Sequence, residues 1–130
     1  MPSAYSREVH SALLAIRENI LLARDFVRGQ DRAAFEVDTR TIYAVTRCLE
    51  IISEASRRLT EDLVSRHPHL QWAQIRAAGN VYRHRYDNVS PGVLWTTVTE
   101  SLSDLERMVD LEIDALEKLS SDTSRRGSES

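Results

Sequence analysis

Apolar residues recur at the spacing of an amphipathic helix through most of this chain, and few residues in it can end a helix. The 130 residues include only four glycines and three prolines. An all-β sandwich needs a turn signal roughly every 8–12 residues, so this scarcity argues against one and favours a few long helices. A chain of this length has room for one domain with a single core.

The first half of the sequence predicts two long helices. The first covers residues 6–28, and Gly29 is suited to end it. Asp38 follows the connection over residues 30–37 and is a favourable N-cap for a second helix over residues 39–59. Helical periodicity places these residues on the two core faces: Val9, Leu13, Ile16, Ile20 and Val27 on the first helix, and Ile42, Val45, Leu49, Ile52 and Leu59 on the second.

The second half predicts a short helix and two longer ones. Thr60 caps a helix that ends near residue 66, and Pro68 breaks the run. A third long helix covers residues 71–85, with Gly79 as its weak point. Ser90 and Pro91 then supply an N-cap and an N1 residue for a last helix that extends to about residue 119. Its core face holds Leu94, Val98, Leu102, Leu105, Val109 and Leu116.

These elements predict an all-α protein, an antiparallel bundle of four to five helices. We expect the folded domain to cover residues 1–119. Residues 120–130 are polar and serine-rich, bury no apolar surface, and are expected to be disordered. Residues 20–22 and 51–52 are apolar on more than one helix face, which favours a homodimer.

The modest formal charge of −3 hides one basic, histidine-bearing region. The chain as a whole does not have the charge of a nucleic-acid-binding protein. However, residues 63–86 contain no Asp or Glu and hold Arg66, His67, His69, Arg76, Arg83, His84 and Arg85. Arginine offers a planar fork of donors to phosphate oxygens, so this region suits a phosphate-containing partner.

The chemistry that fits these residues is RNA cleavage without a metal. The ribose 2′-hydroxyl attacks the adjacent phosphorus, and a histidine such as His84 removes its proton. An arginine stabilises the extra negative charge of the transition state. The alternative is that arginine and histidine at an exposed helix end are only solvated surface.

Other residues give weaker indications. Cys48 is the one cysteine, so no intrachain disulfide forms, and a small buried side chain is its ordinary role. His67 and His69 flank Pro68 without a third metal ligand at suitable spacing. Glu50 and Glu54 lack the Glu-x-x-His partners of a di-metal bundle and are expected to meet arginines such as Arg47 or Arg57. We therefore expect no metal and no cofactor.

Trp72 and Trp95 are expected to be core or interface anchors, and His10 a surface residue. No stretch approaches the ~20 apolar residues of a membrane span, and the N-terminus has no apolar signal core. We therefore expect a cytoplasmic protein without a membrane partner.

Two blocks of sequence resemble the HepT-like branch of the HEPN superfamily. Residues 47–55, Arg-Cys-Leu-Glu-Ile-Ile-Ser-Glu-Ala, look like the family's "RxLEIIGEA" helix, with Ser53 where glycine is usual. His67-Pro68, Trp72, Ile75 and then residues 80–87 resemble its "HP…W…I…RNxxxHxY" stretch. The resemblance covers about residues 8–118.

The resemblance implies a dimeric four- or five-helix ribonuclease toxin with an Arg-x4-6-His motif near the dimer cleft. Its implied partner is an MntA-like minimal nucleotidyltransferase antitoxin, which transfers AMP from ATP to the tyrosine of a His-x-Tyr element. On this basis His84 matches the motif histidine and Tyr86 the modified tyrosine. Asn80 matches the polar residue after the motif arginine.

At one position the sequence departs from the family motif, and this departure leaves two interpretations of the function. The motif arginine belongs five residues before His84, where this chain has Gly79. In the favoured interpretation Arg76, Arg83 or Arg85 replaces it, Asn80 and Arg66 help to bind RNA, and the chain cleaves tRNA or mRNA. In the alternative, the chain is a catalytically impaired helical dimer that binds or regulates a nucleotidyltransferase.

Overall fold

The computed structural model describes residues 4–84 and 90–129, with side chains over residues 6–78 and 90–122. Over these residues the regular structure is helical, without strands. The helices are α1 (Ala4–Phe26), α2 (Arg32–Glu36), α3 (Thr39–Ser56), α4 (Glu61–Ser65), α5 (Trp72–His84), α6 (Pro91–Thr96) and α7 (Leu102–Glu129). A π-helical segment, Thr97–Ser101, joins α6 to α7. The predicted all-α bundle is confirmed.

Short polar residues begin these helices where the sequence predicted. The Asp38 side chain accepts a hydrogen bond from the Thr41 backbone N–H at the start of α3. Thr60 caps α4 in the same way, and Ser90 caps α6 with Pro91 at its first position. Each cap satisfies a backbone donor that has no partner within its helix. Gly29, with φ of 80°, turns the chain after α1.

The core lies between α1, α3, α5 and the α6–α7 helix. All five predicted core residues of α1 are buried, and so are four of the five predicted for α3; Ile42 is partly buried. α1 and α7 run antiparallel, because His10 pairs with Glu117 near one end and Arg24 pairs with Glu106 near the other. No helix within the described residues is long and apolar enough to cross a membrane.

Residues 30–37, predicted to be only a connection, contain the short helix α2. Asp31 caps it by accepting a hydrogen bond from the Ala34 backbone N–H. Phe35 anchors it, fully buried with its ring centroid 5.5 Å from that of Trp95. A single buried aromatic residue thus fixes an element too short to show a periodic apolar face.

The last helix begins where predicted but differs from the prediction in its interior and at its C-terminal end. The π-helical segment interrupts it, and α7 continues to Glu129 where residues 120–130 were expected to be disordered. A segment that buries no apolar surface can still continue the backbone hydrogen bonds of the helix before it, since each added residue contributes one bond. The division of the chain into a domain over residues 1–119 and a separate tail stays a prediction.

Candidate functional site

Three candidate residues occupy successive turns of α5. Arg76, Asn80 and His84 are four residues apart, and each step of four advances about 6 Å and rotates only about 40° around the helix. Arg83 is in the same last turn, rotated about 100° from His84. Arg85 and Tyr86 lie outside the described residues. The three positions therefore form a row of candidates about 12 Å long that turns through about 80° around α5.

Ser53 determines how α5 packs on α3. Its side chain is almost fully buried, and its Oγ donates a hydrogen bond of 3.0 Å to the backbone carbonyl of Arg76. Nη1 of Arg57 donates to the same carbonyl oxygen at 2.8 Å. A small side chain at position 53 lets the two helices approach closely. The end of α3 thus meets the first half of α5, and the two helices pack against each other.

Arg76 points away from His84, toward the start of α5. Its guanidinium lies 5.9 Å from the centroid of the Trp72 ring, an arrangement that supports a cation–π interaction. Nη1 donates to Glu61 at 3.1 Å and Nη2 donates to the Leu59 carbonyl at 3.4 Å. Nε is buried without a hydrogen-bond partner among the described residues. The structure therefore places the charge of Arg76 beside α4.

Arg66, predicted to bind phosphate, is joined to a glutamate of α7. Its Nε and Nη2 donate to the two carboxylate oxygens of Glu112 at 3.2 and 2.9 Å. Nη1 donates to Asp62 at 2.7 Å. Because half of the Arg66 side chain stays exposed, the residue reaches solvent while two carboxylates already hold it.

His67 completes a buried polar cluster with Glu112. The His67 Nε2 atom lies 2.7 Å from Oε1 of Glu112, and both side chains are nearly buried. The His67 backbone carbonyl accepts a 2.9 Å hydrogen bond from Nε1 of Trp72. Arg66, His67 and Glu112, here called the loop clamp, thus tie the connection before α5 to α7.

Two opposing influences act on the ionisation of Glu112. Burial alone would raise the pKa of its carboxyl, but hydrogen bonds from Arg66 and His67 outweigh burial, so the pKa is lowered. The hydrogen bond with Glu112 also raises the pKa of Arg66. The charged form of this carboxylate is therefore the stable one in the folded protein.

Glu112 was not predicted from the sequence to be a structural residue. Its spacing indicates a buried position, since Glu112 lies three residues after Val109 and four before Leu116, and both are on the predicted core face. A charged residue at such a position needs a buried partner. The partner, His67, is 45 residues away along the chain, so periodicity alone does not reveal it.

Most of the minor candidates have structural roles. Cys48 is buried, and burial raises the pKa of its thiol. Arg47 pairs with Glu50 at 3.2 Å, as expected. The rings of His67 and His69 contact edge to face, with centroids 6.0 Å apart. Where the chain is described, no three His, Cys, Asp or Glu residues cluster to hold a metal ion.

A groove of about 400 Å³ separates α5 from the π-helical segment and the start of α7. Ile75 and Ala78 line it from α5, and Leu102 and Leu105 line it from α7.

Comparison with known proteins identifies relatives across most of the chain. The model of the ribonuclease HepT-like family matches residues 16–111. A protein of Thermococcus cleftensis, named "Probable ribonuclease HepT", is 36% identical over 91 residues, which cover 70% of this chain and 83% of that protein. An RNase candidate of Methanocaldococcus jannaschii is 30% identical over 105 residues, covering 81% and 96% of the two chains. No solved structure gives a significant match.

The family match includes the whole of α3, α4 and α5 and, of the loop clamp, Arg66 and His67; Glu112 follows the last matched residue. The match therefore covers the row of candidates on α5 and the contacts that position this helix. The chain belongs to the ribonuclease HepT-like family.

Proposed function

We propose that this chain is a metal-independent ribonuclease toxin with His84 as its general base. The observation that supports this most is the register of α5, which puts His84 in the last turn, with Asn80 about 40° and Arg76 about 80° around the helix from it in the preceding turns. Membership of a ribonuclease family supplies RNA as the class of substrate.

In the proposed reaction, His84 takes the proton from a ribose 2′-hydroxyl, and the 2′-oxygen attacks the adjacent phosphorus. The 5′-oxygen of the next nucleotide leaves and takes a proton from water, so the products are a 2′,3′-cyclic phosphate and a 5′-hydroxyl. Arg83 or Arg85 supplies the cation at this phosphate, because Arg76 is about 12 Å from His84 along α5 and leans the other way. Asn80 and the half-exposed Arg66 contact the RNA farther from the reacting bond.

The test of this mechanism is cleavage in the presence of a chelator. Purified protein incubated with tRNA or mRNA in EDTA is expected to cut it as fast as without EDTA, since no step needs a metal ion. Gel analysis gives the rate, and mass spectrometry of the fragments detects the 2′,3′-cyclic phosphate. Loss of cleavage in EDTA that added Mg²⁺ restores would contradict the proposal.

The proposed partner is an MntA-like minimal nucleotidyltransferase antitoxin that modifies Tyr86. The phenol oxygen attacks the α-phosphorus of ATP, pyrophosphate leaves, and AMP stays on the tyrosine. An added phosphate and nucleoside two residues from His84 would repel the substrate phosphate and occupy space that RNA needs. The toxin is thereby silenced without refolding.

The modification of Tyr86 can be measured by intact mass. With the partner and ATP, the wild-type chain is expected to gain one or more adenylyl groups and to lose RNA cleavage. Tyr86→Phe is expected to keep its mass and its cleavage, and Tyr43→Phe, which alters an exposed tyrosine of α3, should behave like the wild type. An adenylyl mass that persists in Tyr86→Phe would place the modification elsewhere.

A second copy of the chain completes the proposed toxin. Large apolar side chains remain exposed on α1, including Leu21, Leu22 and Phe26, and the exposed Leu111 lies on α7. Leu22 and Phe26 are one helical turn apart, and exposed apolar neighbours of this kind favour association. Light scattering of the purified chain is expected to give about twice its 14.8 kDa mass, whereas a monomer would contradict this part of the proposal.

A non-catalytic role is the second candidate function, and one observation favours it. The two arginines whose side chains are described in the basic region, Arg66 and Arg76, are both paired with carboxylates. Gly79 supplies no side chain where the family motif has arginine. In this case the chain is a helical dimer that binds or regulates a nucleotidyltransferase, and it cuts no RNA with or without EDTA.

A further inference from the structure

We propose that Arg57, together with Arg76, forms a phosphate-binding subsite for the RNA backbone where α3 meets α5. Glu61 acts there as a counter-charge that the RNA displaces. The inference rests on RNA being the substrate in the proposed function. It adds a binding residue, Arg57, outside the basic region of the sequence.

Arg57 is held beside α5 by a hydrogen bond to an uncharged acceptor, and within the described residues it forms no ion pair. It follows the last residue of α3 and is exposed, and its Nη1 donates to the backbone carbonyl of Arg76 at 2.8 Å. A carbonyl oxygen accepts one N–H but carries no negative charge, and a guanidinium has five such donors. Arg57 is thus fixed in place with most of its fork available to an anion.

Arg76 lies on α5 beside Arg57 and has a hydrogen-bond donor that is not used. About a quarter of its side chain is exposed, and the Trp72 ring supports its guanidinium. The buried Nε–H has no hydrogen-bond partner in the described part of the chain. An unmade hydrogen bond from a charged group is costly, so a ligand oxygen that rearranges this side chain gains a strong donor.

Glu61 is the acidic residue that meets Arg76, and it is weakly held. Its carboxylate accepts from Nη1 at 3.1 Å, but 84% of the Glu61 side chain is exposed. An exposed ion pair of this kind contributes little to stability, because water and salt screen it. An RNA phosphate can therefore replace Glu61 at Arg76 at small cost.

The subsite lies at a useful distance from the proposed catalytic residue. Arg76 precedes His84 by eight residues, which is about 12 Å along α5, on a related side of the helix. A strand of RNA whose reacting phosphate is at His84 can follow α5 back to this pair of arginines. The subsite then binds a neighbouring phosphate of the RNA strand, and the reacting phosphate stays at His84.

Binding of a fluorescent single-stranded RNA of mixed sequence tests the subsite. All variants carry His84→Ala, so that affinity is measured without cleavage. Arg57→Gln is expected to weaken binding by about three- to tenfold and to reduce the slope of log K against log salt by about 0.7, the value for one phosphate contact on a single strand. Glu61→Gln is expected to strengthen binding by about two- to threefold.

Two control variants match the charge changes. Arg58→Gln removes the exposed arginine next in sequence, and Asp110→Asn removes a carboxylate on α7. Both are expected to leave affinity and salt slope close to those of the parent. Arg57→Lys keeps the charge but loses the planar set of guanidinium donors, so its RNA affinity should lie between those of the parent and Arg57→Gln. Circular dichroism checks that each variant is folded.

Equal losses in Arg57→Gln and Arg58→Gln would overturn the subsite, because the effect would then be one of general charge. Unchanged or weaker binding in Glu61→Gln would overturn the role of Glu61. An Arg57 effect on binding, in a protein whose wild type cuts no RNA, would support the subsite while refuting the proposed ribonuclease. If the wild type cleaves RNA but Arg57→Gln binds RNA as tightly as its parent, the ribonuclease is supported and the subsite is refuted.

Discussion

His84→Ala is expected to reduce RNA cleavage by about 100-fold or more while leaving the protein folded. A general base contributes about 10²- to 10⁴-fold to a rate, and alanine has no group that can take the 2′-hydroxyl proton. Position 84 is in the last turn of α5, and alanine favours helix, so the helix should persist. Initial rates on one RNA substrate in EDTA, with circular dichroism on the same samples, measure both effects.

His69→Ala is the matched control, because His69 is exposed in the basic region but precedes α5. It is expected to retain wild-type rates. A substrate with 2′-deoxyribose at the cleaved position should resist the wild-type enzyme, since it lacks the attacking hydroxyl. If His84→Ala cleaves RNA as fast as His69→Ala, then His84 is not the base. If neither variant nor the wild type cuts RNA, the result supports the non-catalytic function.

The fold was largely predictable because its signals are local. Asp38, Thr60 and Ser90 each begin a helix by binding a backbone N–H within three residues, and Gly29 turns the chain after α1. Apolar spacing then identified the buried faces. Such signals need no knowledge of which helices become neighbours.

The π-helical segment was missed, although the spacing contains a trace of it. Leu94, Val98 and Leu102 are separated by two successive intervals of four residues. In an α-helix these intervals would rotate the apolar face by about 40° each. The wider turn of Thr97–Ser101 keeps all three side chains buried. A drifting apolar face was thus read as a regular helix.

The candidate site was only partly predictable, because its electrostatics come from residues far apart in sequence. The basic region over residues 63–86 contains no acidic residue, yet Arg66 meets Glu112 of α7 and Arg76 meets Glu61 of α4. The sequence also gave Arg57 no role toward phosphate, since its position beside Arg76 depends on the packing of α3 on α5. Residue types suggested the chemistry, and tertiary contacts determine which arginines are available.

Glu112→Gln is expected to lower the free energy of unfolding by about 2–3 kcal/mol at neutral pH. Glutamine keeps the shape of the side chain but loses the charge that satisfies Arg66 and His67 inside the loop clamp. Breaking a fully buried pair costs about 3–5 kcal/mol; the half-exposed Arg66 regains water, so the expected cost is smaller. Urea unfolding at 25 °C followed by circular dichroism gives the value.

Glu117→Gln provides the control, because Glu117 is on the same helix and also meets a histidine, His10, but is more than half exposed. Its expected change is within about 0.5 kcal/mol. The pKa of Glu112 is lowered in the folded protein, so its stabilisation is fully present above its ordinary value of 4.5 and is lost as pH falls through the folded-state pKa. The difference between wild type and Glu112→Gln should therefore shrink in acid. Equal effects of the two variants at neutral pH would show that the loop clamp does not stabilise the fold through the charge of Glu112.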